Sequence, residues 1–345
     1  MHVMQVLRSR IVRGHYAGKL PGERALAAEL GTNPKTIQLA LIRLEAVGMI
    51  RRVERHGTFA VPPAELPRSA GIVYARLVSK PPFTLWGDAS FWSSAIVYGF
   101  HKAARERGLT IALEYSDDVD RVLDDALAEA RTAGCVGTCI LSLAVETKHA
   151  LRLAQAQGPV VLADWEIEHP LVPCIVFDNF GAGRLVAEHL VKLGHRRIAF
   201  VNYASPSPNM RERLRGVEQF LSDVGSPLAR KVFFQGHNFE DIAGLLAAPD
   251  PPTAIISGSR HVAEILIELA LNGGTRIPQD LSVVTFGGGQ VLGRRRITMA
   301  AMDHEALGRR ALEMLLDERG AASPPRVVLP VTLADAATTA PPAAP

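Results

Sequence analysis

Four side chains in the segment NPKTIQ carry the donors and acceptors needed to read the edges of nucleic-acid bases: Asn33, Lys35, Thr36 and Gln38. Carboxamides such as those of Asn33 and Gln38 pair bidentately with adenine, an ammonium pairs with guanine, and a threonine hydroxyl reaches either a base or a phosphate. Each also has a plainer role, Asn33 as a helix cap and Lys35 and Gln38 as solvated surface. The turn ERHGT further on adds Arg55, His56 and Gly57. A cation and an imidazole beside a glycine suit a phosphate or a minor groove approached at close range.

The surrounding residues say how these groups are positioned. Val3, Val6, Leu7 and Ile11 fall at helical spacing, and Gly14 ends that run. Pro21 opens a second helix, with Glu23 in its first turn, Leu26, Ala27 and Leu30 facing inward, and Gly31 as its left-handed terminator. Thr32 or Asn33 caps a third helix that starts at Pro34, buries Ile37, Leu41 and Leu44, and stops at Gly48. Met49–Val53 and Thr58–Val61 then read as two short strands around Gly57. Three helices and a hairpin form a winged helix-turn-helix, whose third helix enters the major groove with its N-terminal side chains nearest the bases.

Charge supports that reading. Residues 1–69 hold eleven Lys and Arg against five Glu, a net of +6, whereas the rest of the 345-residue chain is slightly acidic, within an overall +3. A basic module on an acidic body is the pattern of a polyanion-binding head, although a solvated basic face gives the same count. Cys135, Cys139 and Cys174 have no zinc-type spacing and read as reduced, buried thiols. No apolar run is long enough to span a bilayer, and the arginine-bearing start MHVMQVLRSR is unlike a signal peptide, so a cytoplasmic protein is expected, with no membrane partner. No GxSxG, HExxH or P-loop occurs, and the glycines of GGGQVLG lack an acidic ribose partner, so no catalytic residue, metal ligand or cofactor is assigned and no enzyme activity is expected.

Pro62–Ser69, with three prolines in eight residues, is expected to be a linker after a head of residues 1–61. From Ala70 onward strands alternate with amphipathic helices, beginning AGIVYARL, FWSSAIVYGFHKAARERG and LTIALEYS. That rhythm predicts parallel sheets flanked by helices, and residues 70–334 are too many for one open sheet, so two lobes are expected. Ligands of such folds lie beyond the carboxyl ends of strands. The final LADAATTAPPAAP is low in complexity, and residues 335–345 are expected to be disordered.

The blocks KLPGERALAAELG, LEAVGMI and HGTF resemble the DNA-binding domain of the GntR family over residues 5–61. The resemblance implies that Arg24 holds a phosphate or base and places Asn33, Lys35, Thr36 and Gln38 at reading positions; Pro34 and Gln38 replace residues that are often arginine. The blocks VFDNFGAGRLVAEHLVKLGHRRIAFV and IPQDLSVVTF resemble the effector domain of LacI/GalR-type repressors, itself similar to periplasmic sugar-binding proteins. Together they are similar to arabinose-repressor-type regulators. The implied fold class is α/β: an N-terminal winged helix-turn-helix plus a two-lobed periplasmic-binding-protein-like domain of parallel sheets flanked by helices. A homodimeric repressor on a palindromic double-stranded operator is expected, modulated by a small carbohydrate-like effector.

The same resemblance places Phe91, Trp92 and Trp165 near the effector, the aromatic rings either stacking on a sugar or packing as core. It makes Arg213 a ligand-fixing arginine, with a solvated helix arginine as the alternative, and leaves Asp178 and Asn179 structural. Two departures stand out: Gly287 in TFGGGQ replaces a usual aspartate, and Ser259 with Arg260 stand where Asn-Asp is usual. These permit an anionic ligand such as a sugar acid or sugar phosphate, countered by Arg213 and Arg260, or a cleft that holds no small ligand. An architectural DNA-binding protein and a metabolic enzyme are the competing classes.

Overall fold

A computed structural model describes residues 2–343 apart from 13–14, 17, 47, 55, 63–71, 79–86, 117, 130–134, 143–146, 156–158, 168, 170–171, 205–206, 236–238, 289–295 and 317–325. Arg55, most of the expected linker and most of GGGQVLG therefore lie outside the described residues.

The head consists of α1 (His2–Val12), α2 (Glu23–Glu29), α3 (Pro34–Ala46), β1 (Ile50–Val53) and β2 (Gly57–Ala60). Leu7, Ile11, Leu26, Ile37, Leu41, Leu44 and Met49 are buried together with Ile50. Gly31 follows α2 at φ +59°, and the next amide, of Thr32, donates to the Ala27 carbonyl at 2.9 Å. This Schellman closure stops α2 abruptly and lets α3 restart at once, the tight turn expected from the sequence. β1 and β2 pair antiparallel, Ile50 opposite Ala60 and Val53 opposite Gly57. Arg10 bonds to Glu29 at 2.6 Å and Arg52 to Glu45 at 3.3 Å, joining α1 to α2 and β1 to α3.

The first lobe of the body holds β3 (Ile72–Val78), α4 (Gly87–Glu106), β4 (Thr110–Ser116), α5 (Val119–Glu129), β5 (Cys135–Ser142), α6 (Ala150–Ala154), β6 (Val160–Ala163) and the start of β7 (Cys174–Phe177). The second holds α7 (Asn179–Lys192), β8 (Ile198–Tyr203), α8 (Pro208–Asp223), β9 (Arg230–Phe234), α9 (Glu240–Leu246), β10 (Ala254–Ser257), α10 (Arg260–Asn272), β11 (Ser282–Gly287) and β12 (Thr298–Ala301). The chain returns through α11 (His304–Leu315) and β13 (Arg326–Leu329) in the first lobe to β14 (Thr332–Ala334) in the second. One sheet has the order β13-β7-β6-β5-β3-β4 and the other β14-β12-β11-β10-β8-β9. β3 lies between β4 and β5, and β8 between β9 and β10, all parallel. These are the points where strand order reverses, and where open α/β sheets leave a crevice for ligand. Cys139 and Cys174 are buried free thiols, and burial raises the Cys139 pKa to about 12.

In the second lobe α7 and α8 touch backbone to backbone. A Cβ on Gly183 would overlap the Arg213 carbonyl oxygen, and one on Gly216 would overlap that of Phe180. The two glycines thus bring the helices close enough for Arg213 to reach across to α7.

Residues 335–343 correct the expectation of a disordered tail. Val283 N donates to Thr338 O at 2.8 Å, Thr338 Oγ1 donates to Val283 O at 2.7 Å, and Thr298 N donates to Thr338 Oγ1 at 2.9 Å. His195 Nε2 lies 2.8 Å from Ala340 O, and His189 Nε2 lies 2.8 Å from Thr339 Oγ1. Composition misled because the order of this segment comes from sheet and helix groups distant in sequence.

Candidate functional site

In the head, α2, α3 and the hairpin carry the residues that the sequence assigned to DNA. Asn33 Oδ1 accepts from Thr36 N at 2.9 Å and from Thr36 Oγ1 at 3.0 Å, so Asn33 and Thr36 are engaged together in capping α3. Lys35 and Gln38 are exposed on α3, and Arg24 is exposed on α2. The hairpin turn presents His56, whose Nδ1 lies 2.9 Å from Glu54 O, next to Gly57 at φ +111°. The plain role of Asn33 as a cap is therefore realised, while Arg24, Lys35 and Gln38 keep their polar ends in solvent.

In the second lobe, Arg213, Ser259, Arg260 and Gly287 come together at the carboxyl ends of β8, β10 and β11. Arg213 is not a solvated helix arginine. It is 7% exposed, and its guanidinium lies over the Phe286 ring at 5.2 Å. Its Nε donates to Asn179 Oδ1 at 2.8 Å and an Nη to Gly258 O at 3.2 Å, with Met302 Sδ 3.4 Å away. Asn179 in turn donates to Phe177 O, while Asp178 caps α7 through Gly181 N at 2.7 Å, which gives both residues the structural roles expected of them. Ser259 caps α10 through Val262 N. Arg260 forms an ion pair with Glu264 one turn on, at 3.1 Å, so its charge is already countered within its own helix. Gly287 adopts φ +150°, and a Cβ there would meet Arg260 Cβ at 3.8 Å.

Sequence reading missed three neighbours of Arg213: Phe286, Met302 and His304. His304 is buried, and burial together with the charge of Arg213 lowers its pKa to about 4, leaving a neutral imidazole near neutral pH. Asn202 at the end of β8 also went unnoticed. Its amide packs against Gly258, with Oδ1 buried and without a hydrogen-bond partner among the described residues. Nothing local in the sequence marks these residues, because strand order alone assembles them.

Trp165 is 6% exposed and packs with Val119, Leu162 and Ile167 in the core of the first lobe, the packed alternative of the two that the sequence left open. Phe91 and Trp92 belong to α4, and their side chains lie outside the described residues. Among the described residues no cluster of His, Cys, Asp and Glu could hold a metal ion, and no helix is long and apolar enough to cross a membrane.

Comparison with known proteins follows the same division. Residues 1–60 match the family of bacterial regulatory proteins named gntR, and residues 187–339 match a periplasmic binding protein-like domain. The chain carries a gntR-type head and a periplasmic-binding-protein-like body. It is a DNA-binding transcriptional regulator. The arabinose metabolism transcriptional repressor of Geobacillus stearothermophilus is 25% identical to this regulator over 342 residues, covering 92% of the chain and 90% of the repressor. The repressor PurR of Mannheimia succiniciproducens is 25% identical over 234 residues, covering 64% of the chain and 69% of PurR. Among solved structures, a LacI transcriptional regulator from a Rhodococcus species superposes with a TM-score of 0.65 at 23% identity, covering 78% of the regulator and 98% of that chain. A lac repressor dimer bound to operator gives 0.66 at 21%, covering 78% and 94%. These two likenesses concern the fold. The match to residue 339 also includes the start of the C-terminal segment within the domain.

Proposed function

We propose that the regulator is a repressor that binds a palindromic operator as a homodimer and answers to a small anionic ligand of carbohydrate type, a sugar acid or sugar phosphate. The reading assigns Arg24, Asn33, Lys35, Thr36, Gln38, Arg55, His56 and Gly57 to DNA, and Arg213, Ser259, Arg260 and Gly287 to the ligand, with Phe91 and Trp92 as aromatic contributors. The observation that carries the ligand class is Arg213, buried at the carboxyl end of the sheet and oriented by two neutral oxygens and a ring face. A guanidinium oriented in this way suits bidentate recognition of a carboxylate or phosphate. Arg260, already paired with Glu264, plays the lesser part.

Two heads are needed because one small module buries too little surface to bind both tightly and selectively. The first lobe offers a face for the second copy: Tyr98 on α4 and Leu113 on the edge strand β4 are more than half exposed and line the same shallow cavity with Val97 and His101. Ligand alters operator affinity only if it binds one conformation more tightly than the other. The regulatory role does not require catalysis, and we read the chain as a non-enzyme acting in the cytoplasm.

Titration of the purified protein with sugars, sugar acids and sugar phosphates, followed by thermal denaturation, tests the ligand class. A ligand at about 100 times its Kd adds about 2.7 kcal/mol of stability. Stabilisation by the anionic members and not by the neutral parent sugars is expected. Full-affinity binding of a neutral sugar sinks the anionic reading, and no response to any of them supports a body that senses no small ligand.

A further inference from the structure

α3 has two faces. Ile37, Ala40, Leu41 and Leu44 are buried in the head. The opposite face presents Lys35, Gln38, Leu39 and Ile42, of which Leu39 is 54% exposed and Ile42 48%. The positions follow i, i+3, i+4 and i+7, the spacing by which a recognition helix in the homeodomain class addresses a major groove. From residue 35 to residue 42 the helix rises about 10 Å, roughly three base steps.

Half of this face is polar and half is aliphatic. The polar half matches the hydrogen-bonding edges of bases. The aliphatic half has one counterpart in the major groove, the C5-methyl group of thymine. Charge fits the same occupant: Arg24 on α2 and Arg43 on α3 are exposed, on a segment with a net charge of +6. A protein partner for so small an aliphatic patch would have to accommodate the surrounding cations, whereas DNA phosphates favour them.

We infer that Leu39 and Ile42 are specificity-determining residues of the head, and that they select operator half-sites carrying thymine beside the bases read by Lys35 and Gln38. The inference rests on the reading of the head as a binder of DNA. It adds a requirement that none of the polar residues imposes, a methyl group at defined positions.

The test uses the full-length protein. Duplexes are selected from a random pool, and each thymine of the selected half-site is then replaced by deoxyuridine, which removes only the methyl group. At one or more positions the replacement is expected to weaken binding about fourfold, the effect of withdrawing one buried methyl-sized group. Leu39→Ala or Ile42→Ala should bind the thymine and uracil duplexes equally at that position. Both side chains are exposed, so the variants are expected to fold, and unchanged thermal denaturation checks this. A selected site at which every uracil duplex binds as well as its thymine parent overturns the inference while leaving the DNA-binding reading intact. So does a variant that weakens binding yet keeps the full thymine preference, the mark of a contact elsewhere. Failure of the wild-type protein to select any sequence over random DNA counts against the DNA-binding reading itself.

Discussion

Asn179 Oδ1 accepts the Arg213 Nε hydrogen at 2.8 Å, linking the first turn of α7 to the middle of α8. Removing the acceptor leaves a buried charged donor without this partner, a loss of about 1–3 kcal/mol. Asn179→Ala should therefore lower the urea midpoint, and Asn179→Asp, which keeps the acceptor for Arg213 but loses the donor to Phe177 O, should lower it less. Arg213→Lys keeps a cation but loses the planar fork, so calorimetry should show at least roughly tenfold weaker binding of an anionic ligand. Unchanged affinity would remove Arg213 from the ligand site.

The close crossing of α7 and α8 depends on two glycines. Gly183→Ala places a methyl group against the Arg213 backbone carbonyl, where no flexible side chain can give way. The helices must separate, at a cost of about 1–3 kcal/mol or more. Denaturant unfolding of Gly183→Ala and Gly216→Ala checks this. Wild-type stability in both would contradict the packing described.

Stability should depend on pH through His304. Its pKa is lowered to about 4 from an ordinary 6.5, by burial first and by the charge of Arg213 second. Between those two values the unfolded chain takes up a proton that the folded chain does not. Stability therefore rises with pH across this window, is fully present above pH 6.5, and is lost as the pH falls towards 4. The contribution is on the order of 3 kcal/mol. His189 and His195, also lowered by burial, act in the same direction. Urea midpoints measured at about pH 7 and pH 4.5 should differ less in His304→Gln than in the wild-type protein, and an identical difference would rule out this origin.

The C-terminal segment should contribute to stability. Truncation after Ala334 removes the three hydrogen bonds of Thr338 to Val283 and Thr298 and exposes His195, whose Nε2 faces Ala340. Thr338→Val, which removes only the hydroxyl, should lose about 1–3 kcal/mol, and the truncation more. A truncated protein that melts at the wild-type temperature would mean that the segment is an ornament of the fold.

The residues of α3 should separate into two kinds. Asn33→Ala removes a cap and should destabilise the head by about 1 kcal/mol. Lys35→Ala and Gln38→Ala should leave melting unchanged and narrow the ratio of operator to random-DNA affinity, by about 1–3 kcal/mol for a lost bidentate base contact. Competition binding against random DNA measures that ratio, and an unaltered ratio in both variants would refute their assignment.

What could be read directly from the sequence was local. Gly31, Pro34 and Gly48 punctuate the head because φ restriction and φ freedom act at single residues, whereas Pro21 lies before α2, whose N-cap is Gly22; the apolar spacing of α3 already named its buried stripe. The alternation of strands and helices announced parallel sheets by the same short-range logic. Tertiary structure decided everything that depends on strand order. It seated Arg213 on Phe286 and bonded it to Asn179, turned Trp165 into core, and drew a low-complexity tail against Val283 and His195, 145 residues from Ala340. Burial and hydrogen-bond partnership belong to pairs of groups, and pairs this far apart are brought together only when the sheet closes beneath them.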